Sequence, residues 1–599
     1  MEPENHECHR PVAESFRMSK SERILHAQVH DNLMANPPSC IKGFNGSYED
    51  ESWDAEATTR KQPRGFKKNL PNIGRFFSVF VAVLTIGFAA TIGINTVLCK
   101  DEHLVDKDTF FNLSKNHYGV DYKDHKINAT HFLGILEEMI KIRTISFGDK
   151  RDADDQHRIA FNKLLDEKFP HINKSKIVNK TVVNGSLLYE IRGFVPEKKP
   201  IMMMAHMDVV PAENLEEWTK HPFGEGSFGV DSSGQDPKNG EKDADKYLYG
   251  RGTLDVKSAI VGIFASLEIN FCENRSWQPE RTTYVFVGHD EEIGGYGGAQ
   301  VVAEMLKNQG IELEFILDEG AAATRNYFPG TDGMIVGLIG VGEKGHLSVD
   351  IESTAEAGHS SMPRKDSSIE NLAKAIIKIS ENSFPDHFEE GDVNRETFDW
   401  ITPYTSLPYR AVFSNLWFFK RIVLSKLIRA PETRATVRTT TSFTAIEGGI
   451  KENVLPTKSV VTINHRLHPR ETIEEVYQRN VNLLRNLKGV EVKIRSGWKN
   501  EATPISPHGR NDLAYHAIKS SIHNVFAGSI VVPYMTVGGT DSKHFVGLTN
   551  CIYRFVPYIL DKSHDDAKRI HGPNERIKRE GFKNFIQFYL NVLANADRF

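Results

Sequence analysis

Residues 200–208 read PIMMMAHMD, six residues without a charge followed by an imidazole and, two positions on, a carboxylate. A short apolar run bounded in this way has the length of a buried strand. The arrangement recurs twice. Residues 282–288 (TTYVFVG) run into His289, Asp290, Glu291 and Glu292, and residues 313–317 (LEFIL) run into Asp318, Glu319 and Gly320. Helix-like stretches, 258–271 and 298–309, lie between and beside them. Strands alternating with helices predict an α/β fold with a mixed, largely parallel sheet flanked by helices. In open sheets of this kind ligands sit beyond the carboxyl ends of strands, so the three polar clusters are expected to converge on one site.

Two further clusters belong with them. Residues 249–257 (YGRGTLDVK) put Asp255 in a glycine-rich turn ahead of a helix, where glycine lets the backbone approach closely. Residues 538–544 (GGTDSKH) place His544 on the first turn of a helix that Thr540 or Asp541 could cap. Any one such His or Asp is more often a satisfied structural residue. Together, imidazoles and carboxylates at element ends form an oxygen-rich, nitrogen-containing set suited to a pair of divalent ions, zinc above others. No Cys-x-x-Cys occurs, which excludes a thiolate zinc site of that pattern. In the main body Cys272 and Cys551 allow at most one disulfide.

The 599 residues, 39% hydrophobic and 26% charged, supply more than one core. With 74 basic against 79 acidic residues there is no field to attract nucleic acid, and none is expected as a partner. Residues 76–98 contain no charge over a length that crosses about 30 Å of hydrocarbon, and read as a single transmembrane anchor. Arg60, Lys61, Arg64, Lys67, Lys68 and Arg75 precede it, whereas Lys100, Asp101 and Glu102 follow. The positive-inside rule then predicts a type II protein with a cytoplasmic N-terminus and a lumenal or extracellular catalytic part. N-glycosylation sequons at Asn112, Asn128, Asn173, Asn179, Asn184 and Asn274 agree with that side.

Residues 1–75 are polar and read as a disordered cytoplasmic tail. Residues 120–343 are expected to form the first part of the catalytic domain, and residues 497–599 the second, ending in a helix over 581–594. Between them, residues 344–496 change texture: 346–353 (HLSVDIES) and 459–467 (SVVTINHRL) alternate like half-exposed strands, and helices begin at Glu370 and Glu474. This predicts an inserted α+β module. Inside it, residues 404–428 are unusually aromatic. They read either as a helix pair filling a core or as an apolar surface for a fatty-acyl chain or a bilayer.

The motifs AHMDVVP, GRGTLDVKSA, GHDEEIGG, LDEG, AGHSSMP, ENVLP and GGTDSKHF, in that order, resemble the M20 zinc peptidases. The similarity is to the branch of carboxypeptidase S and the N-fatty-acyl-amino acid synthase/hydrolases, over most of residues 125–599. It implies a ferredoxin-like lid for the inserted module and two zinc ions per subunit. Asp255 would bridge them, with His206 and Asp318 completing one sphere and Glu292 and His544 the other. The resemblance also implies that Asp208 orients the His206 imidazole and that Glu291 is the general base. His359, on the lid, would stabilise the oxyanion in its own site or a partner's, and a homodimer through the lid is one arrangement this allows. Asn453 and Arg466 are candidates for holding a substrate carboxylate.

The implied reaction is hydrolysis of a C-terminal amide, in small peptides or in N-acyl amino acids, with the reverse synthesis open to the same site. A catalytically inactive membrane receptor for amino-acid conjugates is the alternative of another class.

Overall fold

The computed structural model describes residues 73–100, 127–147, 155–224 and 246–599. Most of the tail read over residues 1–75, and the sequon at Asn112, lie outside them.

Eight strands form the main sheet: β1 (Val178–Val183), β2 (Ser186–Ile191), β3 (Ile201–His206), β5 (Thr283–Gly288), β6 (Phe315–Arg325), β7 (Ile335–Glu343), β14 (Ile530–Thr536) and β15 (Ile552–Asp561). β4 (Tyr247–Tyr249) stands apart, paired antiparallel with β16 (Arg576–Lys578). Their order in the sheet is β1-β2-β5-β3-β6-β15-β7-β14. The three strands read from sequence are thus neighbours, and β5, β3, β6 and β15 run parallel. β6 extends to Arg325, well beyond the apolar run that announced it.

Alternation along these strands splits the apolar side chains between two faces. Met203, Ala205, Val285, Val287, Phe315 and Leu317 join one core, packed beneath α2 (Lys257–Glu273), α8 (Leu513–Val525) and α9 (Phe582–Ala596). Met202, Met204, Tyr284, Phe286 and Ile316 join the other, against α3 (Ala299–Asn308). Almost every residue of α2 is buried, which fits its lack of a polar stripe. Each large apolar chain removed from water on these faces contributes about 1.5–3 kcal/mol.

The inserted module is an antiparallel sheet of order β10-β12-β8-β13, made of β8 (Gly345–Thr354), β10 (Thr440–Gly448), β12 (Lys458–Leu467) and β13 (Val490–Asn500). Two helices, α4 (Ser368–Ser380) and α7 (Ile473–Leu484), cover one face through Leu372, Ile379, Val476 and Leu484. Both begin with capping boxes, Ser367 with Glu370 and Thr472 with Glu475. A small ladder joins β9 (Gly358–His359) to β11 (Val454–Leu455).

The chain between α4 and β10 leaves this sheet and returns to the main core, where Val393, Trp400 and Ile401 are buried. Thr397 Oγ1 donates to Pro533 O of β14 at 2.7 Å. The aromatic stretch follows as α5 (Tyr409–Phe413) and α6 (Leu416–Leu427), whose inner sides pack with Phe388 and Phe398. Cys272 and Cys551 are both free thiols.

Helix α1 (Ile73–Leu98) contains one 18-residue window, Val81–Leu98, of mean hydropathy 2.0 and with none of it buried. By length and composition it can cross a membrane.

Candidate metal centre

Asp255 owes its position to the turn before α2. Gly252, at φ +91°, occupies the left-handed region, and a Cβ there would come within 2.9 Å of Val209 Cγ1. The turn is clamped by Glu575, a fully buried carboxylate just ahead of β16. Its Oε1 accepts the backbone N–H groups of Gly252 at 3.0 Å, Leu254 at 2.7 Å and Asp255 at 3.2 Å. Its Oε2 accepts from Arg251 Nη1 at 2.7 Å.

Around Asp255 two groups of donor atoms gather, each within 4.8 Å: His206, Asp255 and Glu292, and His206, Glu291 and Glu319. His206 Nε2 lies 2.9 Å from Asp255 Oδ1 and 3.9 Å from Glu319 Oε1. On the other side of Asp255, His571 Nε2 lies 2.8 Å from Asp255 Oδ2 and 3.3 Å from Glu292 Oε2. Asp255 therefore stands between two imidazoles.

Two residues expected from sequence do not join this cluster. Asp318 and Glu319 are consecutive in β6, so their side chains leave on opposite faces. Asp318 Oδ2 accepts the Ser542 N–H at 3.0 Å, and Glu319 is the one that faces His206. His544 sits on a short 3-10 turn, Asp541–Phe545, without a side-chain cap, rather than on a capped α-helix. Phe545 is buried there against Phe286, which fixes the turn. His544 Nε2 instead bonds the Gly294 carbonyl at 2.8 Å, its ring edge-on to Tyr296, and burial pushes its imidazole down to about 4. The structure thus brings Glu319 and His571 into the cluster and leaves Asp318 and His544 outside it. Asp318-Glu319 is an adjacent pair that composition cannot resolve. His571 lies in residues 569–575 (RIHGPNE), a stretch with no apolar run to mark it.

Asp208 also acts differently from the expectation. His206 Nδ1 is 2.9 Å from the Asp208 main-chain oxygen, while the Asp208 carboxylate stands at 3.4 Å. That carboxylate accepts the N–H groups of Glu291 at 3.2 Å and Glu292 at 3.1 Å, and the Ser146 hydroxyl at 2.8 Å. It fixes the 3-10 turn Glu291–Ile293, which sends Glu291 and Glu292 into separate donor groups.

The electrostatics are lopsided. Burial alone would depress His206, but its hydrogen bonds with Asp208 and Asp255 and the nearby Glu291 raise it well above the ordinary histidine value. Hydrogen bonds to Asp255 and Glu292 lift His571 to about 10. Burial, reinforced by neighbouring carboxylates, pushes Glu291, Glu292 and Glu319 above the usual range. Four carboxylates against two imidazoles leave excess negative charge in a buried place. Glu292 Oε1 has no hydrogen-bond partner. Such a donor set, oxygen and imidazole without thiolate, fits divalent cations.

The cluster forms one wall of a cleft of about 440 Å³, a size usual for small-molecule sites. The same cleft is lined by Lys344, His346, Arg466 and Lys543, and by the apolar Tyr534, Val537 and Ile570. Lys344 Nζ donates to the carbonyls of Ala435 and Arg438, and burial brings it down to about 7. Of the three lid residues read from sequence, Arg466 lines this cleft. His359 and Asn453 are absent from its lining. They lie exposed at the β9–β11 ladder, His359 Nδ1 2.8 Å from Ser361 Oγ.

The sequence of residues 202–595 matches the family model for peptidase family M20/M25/M40. The chain is 38% identical over 463 residues to an N-fatty-acyl-amino acid synthase/hydrolase of Xenopus tropicalis, covering 77% of this chain and 85% of that one. It is 34% identical over 469 residues to a probable carboxypeptidase S-like protein of Dictyostelium discoideum, covering 78% and 85%. Among solved structures, an M20 family metallo-carboxypeptidase from Sulfolobus solfataricus has the same fold at 17% identity, with a TM-score of 0.54 over 78% of this chain and 99% of that one. Human carnosine dipeptidase 1 aligns over 80% of this chain and 99% of its own, with a TM-score of 0.53 at 15% identity. A match over well more than half of its length, and relatives above 30% identity of both named kinds, identify this chain as a member of peptidase family M20/M25/M40, a hydrolase of amide bonds.

Proposed function

We propose that the chain cleaves the C-terminal amide bond of N-acyl amino acids and small peptides, using two zinc ions. His206, Asp255 and Glu319 would hold one ion and Asp255, Glu292 and His571 the other, Asp255 being shared. Bound zinc supplies Lewis acidity to the scissile carbonyl and to the attacking water. Glu291, beside this set but free of Asp255, takes the proton of that water and returns it to the leaving amine. Arg466 and Lys543, in the same cleft, hold the substrate carboxylate. The observation that carries the reading is that a carboxylate–imidazole cluster and the cationic side chains Lys344, Arg466 and Lys543 line one cleft. The complete acid and imidazole set argues against an inactive receptor.

A fatty-acyl group is the acyl class favoured by the apolar lining at Tyr534, Val537 and Ile570 and by the identity to the Xenopus tropicalis enzyme. Helix α1 is read as the anchor of a type II membrane protein, from the basic residues that precede it. The exposed His359 and Asn453 are read as completing a partner's cleft in a homodimer. Exposed Ile446 and Ile450 beside the lid's edge strand β10 support that contact.

The test is metal analysis of the purified protein with turnover of a dipeptide panel and an N-oleoyl amino acid panel. Two zincs per chain, and a loss of at least about a hundredfold in Glu291→Gln, are expected. Unchanged turnover in Glu291→Gln would overturn the mechanism.

A further inference from the structure

The outer side of α6 serves neither the core nor the cleft. Leu416 and Val423 are buried with Phe398 and Phe413, yet Trp417 is 58% exposed, Phe418 49% and Ile422 56%. Arg421 and Lys426 on the helix, and Arg429 just past its end, are exposed as well. Leu407, 69% exposed, and Tyr409 extend the apolar part. A cluster of large apolar chains left in water marks a surface with a partner.

The element beside it is α1. Asn95 Nδ2 donates to Asn415 Oδ1 at 2.9 Å, and Asn415 Nδ2 donates to Ile92 O at 3.3 Å. Phe88 meets Phe418 edge-on with centroids 4.7 Å apart, and Trp417 at 5.9 Å. Thr85, Thr91 and Thr96 satisfy their hydroxyls on carbonyls of their own helix, whereas the Asn95 amide, in hydrocarbon, needs a partner from another element. At 1.5 Å per residue, Ile92 and Asn95 lie about 5–9 Å short of the helix end at Leu98. An interfacial amphipathic helix buries its apolar face to about 5–10 Å. The Ile92 and Asn95 contacts fall in that range, and the Phe88 contact, about 15 Å from the helix end, lies deeper in the same leaflet.

We infer that α6 docks into the bilayer leaflet from which α1 emerges, a conclusion that rests on reading α1 as a membrane span. Trp417, Phe418 and Ile422 lie among acyl chains, and Arg421, Lys426 and Arg429 meet anionic headgroups. Lipid is the occupant because the patch is continuous with the span and basic along its length. The catalytic unit is then held against the bilayer at two places instead of swinging on a tether.

The test uses full-length protein in vesicles containing anionic phospholipid with brominated acyl chains, which quench tryptophan on contact. Wild type is compared with Trp417→Phe, and with Trp417→Phe carrying Leu84→Trp as a probe of the span. The other five tryptophans are a common background. The expected result is quenching in wild type, largely lost in Trp417→Phe and regained with Leu84→Trp. Equal quenching with and without Trp417, while Leu84→Trp is quenched, would overturn the docking and leave the span intact. Quenching of Trp417 by aqueous iodide would do the same. Shielding from both quenchers would replace lipid by a protein partner. Failure of Leu84→Trp to be quenched would remove the span itself, and the docking with it. Matching thermal melts of the variants exclude misfolding as the cause.

Discussion

His571 Nε2 stands 2.8 Å from Asp255 Oδ2, on the side of that carboxylate opposite His206. On the proposed metal assignment this relationship, and not the GGTDSKHF motif, makes His571 the histidine of the second donor set. His571→Ala is therefore expected to lose one of two bound metals and nearly all turnover. His544→Ala, which removes only the bond to Gly294 O, is expected to keep both metals and lose stability alone. Metal content by mass spectrometry, read beside kcat, separates the two. A metal-depleted His544→Ala with an intact His571→Ala would reverse the assignment.

Glu575 acts through Asp255 without facing the cleft. It accepts three backbone N–H groups of the Asp255 turn and pairs with the buried Arg251. Glu575→Ala leaves Arg251 unpaired and three donors unsatisfied, at a cost of about 3–5 kcal/mol. Glu575→Gln keeps an acceptor, and is expected to fold while losing metal affinity by about 10–100-fold, as supporting partners of ligands do. Calorimetric melting of the apo and zinc-loaded forms distinguishes these effects.

The three strand ends were legible because buried parallel strands are short apolar runs and their polar successors stand out against them. The sheet order β5-β3-β6 brings those ends together as the pattern implies. What was not legible follows from geometry that adjacency hides. Asp318 and Glu319 differ by one step of a period-two strand, and GGTDSKHF resembles a capped helix start although its turn is pinned by Phe545. His571 and Glu575 occupy a loop with no periodicity, so only tertiary structure joins them to Asp255. The aromatic stretch at residues 404–428 fills a core with one side, as the first reading expected, and leaves the other side exposed.

Arg466 lines the same cleft as Glu291, and burial lowers its pKa from the ordinary arginine value. A buried guanidinium in this place costs desolvation unless an anion joins it. Arg466→Ala is expected to weaken binding of a substrate with a free carboxylate by about 1.5–3 kcal/mol, tenfold or more in KM. Arg466→Lys should recover only part, since a bidentate contact is lost. The same substrates capped as carboxamides should show no such difference between wild type and variant. An equal effect on both forms would assign Arg466 a structural role.

His465 gives the lid a pH dependence of its own. It is fully buried on β12, with Nδ1 3.0 Å from Thr441 Oγ1 and Nε2 accepting from Asn480 Nδ2 at 2.9 Å. Burial alone pushes its imidazole down to about 4, from an ordinary value of 6.5. Between these two values the unfolded chain binds the proton that the folded lid refuses, so stability rises with pH across that window and falls on acidification. By linkage the loss from above pH 6.5 to below pH 4 is on the order of 3 kcal/mol. His465→Gln, which keeps polar contacts and cannot titrate there, should melt with a flatter acid limb than wild type. His468, depressed in the same direction to about 3 by burial and by His387 and Lys344, remains in both proteins and cancels in the comparison. Identical acid limbs in the two proteins would mean that His465 is protonated in the folded lid.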